Sequence, residues 1–222
     1  MAGLIMLSTI QKHFIDIAPE EVFERAHEYD IDVSSVKDFR SMSPHYDRIE
    51  QLMDNYRQSH ARWSALGGLT AGIGGFTTAV TFAGIDTISL SIQLYRLSER
   101  FAILNGFDGN EPLQKDKMLN IYFEALGINA VVQASLKRQL LQASTIAGSK
   151  EASENFILNG IIRVGRLFGR NISSERAGRL IPLVGGAAGA AVNYSFARKT
   201  SESMKKAYKR AYFETWHDGS GE

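Results

Sequence analysis

Asp86 stands where chemistry would be expected. It follows a run from Ser64 to Ile85 with no charged residue, and further apolar residues, Leu90, Ile92 and Leu94, come after it. A carboxylate between two apolar runs is costly to bury alone and needs water, a cation or a helix end. Three readings follow: a cap for a helix starting at Thr87, a partner for Arg96 or Arg100, or a site for an ion or a partner molecule. Asn193 is the comparable position in a second apolar run, Leu180 to Ala197, where a side-chain amide would bond across to neighbouring backbone. Two Glu-x-x-His pairs, Glu24/His27 and Glu214/His217, have the spacing that puts two ligands on one helix face. A di-iron bundle also needs an inward glutamate from each of two further helices, so chance explains these pairs better. There is no Gly-x-Ser-x-Gly elbow and no glycine loop ending in lysine and serine or threonine. A hydrolase would require Asp86 to meet a histidine such as His60.

The C-terminal segment has a different signature. Tyr208, Tyr212 and Trp216 recur every four residues, with Lys205, Lys206, Lys209 and Arg210 beside them and Arg198 and Lys199 upstream. Tyrosine and tryptophan suit the headgroup zone of a bilayer, and each lysine or arginine near an anionic leaflet adds about 1 kcal/mol. These nine residues are therefore candidate membrane-surface contacts. The competing reading is an aromatic core stripe with a solvated basic face.

The elements that must position these residues are helices. No long alternating apolar and polar run suggests a sheet. Pro19 followed by Glu20 and Glu21 marks a helix start. A short helix is expected over 33–39, and a third from Pro44 carries Tyr46, Ile49, Leu52, Met53 and Tyr56 on one stripe and runs into the charge-free segment. Gly106 is expected to end a helix, Gly127 to bend one, and a last long helix to reach Trp216, with Asp218 to Glu222 frayed.

Composition limits the function classes. In 222 residues, 44% are hydrophobic and 22% charged, which excludes a disordered chain. The absence of cysteine rules out disulfides, thiolate metal sites and a cysteine nucleophile. A net charge of +1 gives no global pull toward nucleic acid or membrane, so any attraction must be local. Mean hydropathy of −0.15 argues against a polytopic membrane protein. Met1 to Ile10 is apolar but has no basic region before it, so a cytoplasmic location is expected.

Both apolar runs are rich in small residues. Gly68, Gly72 and Gly75 lie in the first, and Gly185 and Gly189, four apart, in the second. Glycine costs up to about 1 kcal/mol per helical position relative to alanine, so such clustering needs a compensation. Close helix–helix packing supplies one. The segments would pack on each other in a core, form a hairpin entering a bilayer, or frame a cavity for an apolar ligand. Threonines at 70, 77, 78, 81 and 87 make the first run less apolar than a typical span. Mutual packing is therefore the first expectation, with membrane contact coming from the surface and the C-terminal tail.

Three ordered stretches resemble the EcsC family. They are the glycine-rich entry from Ala61 to Phe76 followed by Asp86; Phe101 to Asp108, with Asn105 in place of the family's aromatic residue; and Ile181 to Gly189 followed by Val192, Asn193 and Tyr194. Together they cover about Tyr46 to Tyr212 and leave the first forty or so residues unmatched. The resemblance implies a helical, membrane-associated protein linked to a transport or secretion system, with no assigned catalytic residues.

The sequence thus leads to an all-α fold: a single helical bundle with two glycine-rich helices at its centre. The expected divisions are an N-terminal helical extension over 1–42, the EcsC-like domain over 43–217 and a tail over 218–222. The expected function is that of a non-enzymatic accessory protein peripheral to the inner face of the cell membrane. Its expected partners are a membrane surface or membrane protein, with no nucleic acid and no cofactor or metal. The alternative is a soluble carrier or sensor holding a lipid-like ligand between the glycine-rich helices.

Overall fold

The computed structural model describes residues 17–71, 75–128, 130, 132–135, 138, 160–165 and 185–217, with side chains described outside 61–89 and 185–193. Every regular element among the described residues is helical. Helix α1, Pro19–His27, begins on proline with two glutamates in its first turn, as its sequence requires. It stops where Asp30 turns left-handed (φ 56°) and the Ile31 N–H reaches back to the Ala26 carbonyl. The short helix expected over 33–39 is instead a 3-10 turn, Val36–Ser41, followed by a second, Ser43–His45. Asp38 explains the tighter winding. Its carboxylate accepts the Ser34 and Ser35 N–H groups (2.9 and 2.7 Å), which clamps the entry, and Pro44 limits continuation.

Three long helices follow the pattern of the apolar stripes: α2, Tyr46–Ala71; α3, Gly75–Leu104; and, after the shorter α4, Pro112–Ala125, the last helix α5, Gly185–Trp216. The described residues of the first glycine-rich run lie in α2 and α3, and residues 72–74 between them are outside the described set. Gly68 belongs to α2 and Gly75 opens α3, while Gly72 lies outside the described residues. Gly185 opens α5 and Gly189 lies within it. The expected close packing of these glycine faces falls on side chains outside the described set, as does the tail over 218–222.

Within the all-helical class, the chain separates into two compact units, each assembled from three segments: 1–15, 59–95 and 138–198; and 16–58, 96–137 and 199–222. Residue 42, the expected end of the N-terminal extension, falls inside a segment of the second unit. That segment contributes to the core there: Val22, Ala26, Ile31 and Phe39 are completely buried with Ile49, Leu52, Met53, Phe101 and Tyr122. Both glycine-rich runs belong to the first unit. Of its described side chains, Leu90, Leu94, Tyr95, Ile161, Val164 and Ala197 are buried.

Candidate functional site

The second unit brings the FAILNGFD stretch (101–108) and the aromatic stripe of α5 together. Helix α3 ends at Leu104 because Gly106 adopts φ +75°, with the Gly106 and Phe107 N–H groups returning to the Ile103 and Ala102 carbonyls. Asn105, directly before that turn, is completely buried. Its amide donates to the Phe101 carbonyl (2.7 Å) and reaches Met53 Sδ (3.5 Å), and its Oδ1 accepts the Tyr46 hydroxyl (2.7 Å). The Asn105 carbonyl accepts the Trp216 indole N–H (2.9 Å). A buried amide satisfied on both ends is worth keeping, since stranding either end would cost about 1–3 kcal/mol.

Arg40 closes this hub from the 3-10 segment. Its Nε donates to the Gly106 carbonyl (2.9 Å), and its guanidinium lies 4.2 Å from the Trp216 ring centroid. A Cβ on Gly106 would fall 2.6 Å from Arg40 Cγ, so both the turn and the close approach require glycine. The Tyr212 hydroxyl is 3.0 and 3.2 Å from the Phe39 and Arg40 carbonyls, and the Tyr208 hydroxyl is 2.9 Å from Ser98 Oγ. The Tyr46 and Tyr212 rings meet at a tilt with centroids 4.7 Å apart, and Phe107 meets Trp216 at 5.5 Å. Burial pushes the Tyr212 phenol up to about 12 and raises Tyr46 and Tyr208 as well. All three phenols hold their protons at neutral pH. The chemistry of this constellation is that of a clasp.

The clasp reassigns the aromatic members of the proposed membrane face. Tyr208 and Tyr212 are 0% exposed, and Trp216 is half-buried with its indole N–H engaged. Their four-residue spacing is the signature of a helix face turned to the core, so the expected surface contact by Tyr208 and Tyr212 is corrected to a core stripe.

The basic members divide into two rows. Lys205 and Lys209 reach across to α2: Lys205 Nζ lies 2.9 Å from Asp54 and 3.5 Å from Glu50, and Lys209 Nζ lies 2.6 Å from Glu50. Arg57 extends the network to Asp54 (3.0 Å) and Glu202 (2.6 Å). Lys199, Lys206 and Arg210 are exposed on the other side of the helix, as is Arg198 in the first unit's part of it.

Asp86 lies inside α3, well past its first turn at Gly75, so it does not cap a helix starting at Thr87. Asn193 lies inside α5. The side chains of both fall outside the described residues, and with them the pairings of Asp86 with Arg96, Arg100 or His60. Arg100 itself sits 3.7 Å from Glu21 and 5.4 Å from the Tyr56 ring centroid. Among the described residues no group of three histidine, aspartate or glutamate side chains is placed to hold a metal ion. His27 is exposed, with Nε2 3.0 Å from the Val33 carbonyl, and Glu214 lies 3.7 Å from Arg210.

Sequence reasoning missed Asn105, Arg40 and Ser98 as members of the hub. The Asn-Gly pair at a helix stop was the one available signal for Asn105. Arg40 and Ser98 become partners only through contacts 66 and 110 residues away in sequence.

Helices throughout the described residues, two glycine-rich runs and an Asn-Gly helix stop held by a C-terminal aromatic helix define the structural class. The chain belongs to the EcsC protein family, which it matches over residues 6–211. That span includes the N-terminal residues expected to lie outside the family domain. No curated protein and no solved structure matches the chain.

Proposed function

We propose that this EcsC family member is a non-enzymatic accessory protein that works at the cytoplasmic face of a membrane, in partnership with a transport or secretion system. The observation that carries this reading is the gathering of both glycine-rich runs, about a hundred residues apart in sequence, into one compact unit. That unit concentrates the 22-residue charge-free run from Ser64 to Ile85, while the other unit has a closed polar network. Among the described residues no helix is long and apolar enough to cross a membrane. Contact would then be made by lying on or partly entering the bilayer.

Detergent-free flotation of the whole chain with vesicles tests this: co-flotation is expected, and a chain that stays in the dense fraction at every salt concentration would contradict it. The same gathering of glycine-rich runs would also frame a site for a lipid-like ligand. Native mass spectrometry showing a bound lipid at fixed stoichiometry would favour that carrier role.

A further inference from the structure

We propose that the outer edge of α5, formed by Lys199, Ser203, Lys206 and Arg210, is an electrostatic docking face for anionic phospholipid. It rests on the membrane reading above and names the lipid class and the residues. The four positions are spaced i, i+4, i+7 and i+11, which places them on one line along about 16 Å of helix. All four are exposed, Lys206 at 75% and Arg210 at 70% of the side chain, and no apolar residue interrupts the line.

The neighbouring cations are already committed. Lys205 is only 14% exposed and is held by Glu50 and Asp54, and Lys209 shares Glu50 with it, so both lysines are engaged within the fold. Among the described residues, the outer row is held by Glu202 at 3.5 Å from Lys206 and Glu214 at 3.7 Å from Arg210. Both are exposed i, i+4 pairs, weak and readily exchanged for a lipid phosphate. Charge also sets the orientation. Helix α1 of the same unit exposes Glu20, Glu21 and Glu24, with Glu28 exposed just past its end, a face that an anionic surface repels. With the aromatic stripe buried, this edge has no anchor to insert and acts by charge alone.

The test compares binding of the full chain to neutral phosphatidylcholine vesicles and to vesicles containing phosphatidylglycerol, at low and high salt. The wild-type chain is expected to favour the anionic vesicles at least tenfold, with the preference lost at high salt. Lys199→Gln/Lys206→Gln/Arg210→Gln is expected to lose on the order of 100-fold, about fivefold per cation, with an unchanged unfolding midpoint. Ser203→Glu, a single exposed substitution with no bond to lose, is expected to weaken anionic binding in the same direction. Equal binding of the triple variant and wild type to anionic vesicles would overturn the docking face. Equal wild-type binding to both vesicle types would also overturn it while leaving membrane association intact. No binding to either would remove both.

Discussion

Asn105 and Gly106 place a helix stop, a buried amide and a close backbone approach in two consecutive residues. At Gly106 two costs combine, because a side chain would have to accept φ +75° and displace Arg40 Cγ. Gly127 has nearly the same backbone (φ +71°) but nothing within 4 Å of an added Cβ. Gly127→Ala is therefore expected to cost about 1–2 kcal/mol, the left-handed penalty alone, and Gly106→Ala measurably more. Chemical denaturation of the two variants separates conformational from steric cost, and equal losses would show that Arg40 moves aside freely.

The phenols of the hub make a prediction about pH. A tyrosine whose folded pKa is raised above the unfolded value of about 10 contributes stability that is complete below pH 10. That stability is lost as pH rises through the folded value, about 12 for Tyr212. Stability is expected to fall steeply across this window, with Tyr212→Phe reducing the steepness and costing about 1 kcal/mol at neutral pH through its lost hydrogen bond. A phenolate absorbance titration followed in parallel with unfolding would check both.

The long helices explain how each element serves two purposes. Helix α5 turns Tyr208 and Tyr212 inward, extends Lys205 and Lys209 sideways to α2, and presents Lys206 and Arg210 outward. Glu50→Gln breaks the sideways row at its centre and is expected to cost about 1 kcal/mol without changing vesicle binding, measured by thermal unfolding and flotation of the same preparation. Much of this element was legible in the sequence, because a four-residue aromatic repeat within a basic segment fixes a helix with a stripe. Which way the stripe faced was not legible, since tyrosine and tryptophan suit both a core and a headgroup layer. The answer came from Ser98, Phe39 and Arg40, whose partnerships with the stripe are long-range.

At the scale of the whole molecule, chain order is a poor guide to architecture. Residues 16–58, 96–137 and 199–222 form one unit and the segments between them contribute to the other, so α2, α3 and α5 each supply residues to both. The all-helical class and the family were readable from local pattern, whereas this interleaving of segments depends on long-range contacts. In the proposed function, the unit containing Asn105 supplies polar fixation and the charged docking edge, and the unit containing the glycine-rich runs supplies apolar contact with the bilayer. The absence of cysteine makes this separation directly measurable. Single-cysteine variants Ala79→Cys, in the charge-free run, and Glu24→Cys, on the acidic helix, can each carry a polarity-sensitive fluorophore. On binding anionic vesicles, the probe at 79 is expected to shift toward an apolar environment while the probe at 24 stays in water. A larger shift at 24 than at 79, or no shift at 79 on vesicles that bind the chain, would contradict the assignment of membrane contact to the glycine-rich unit.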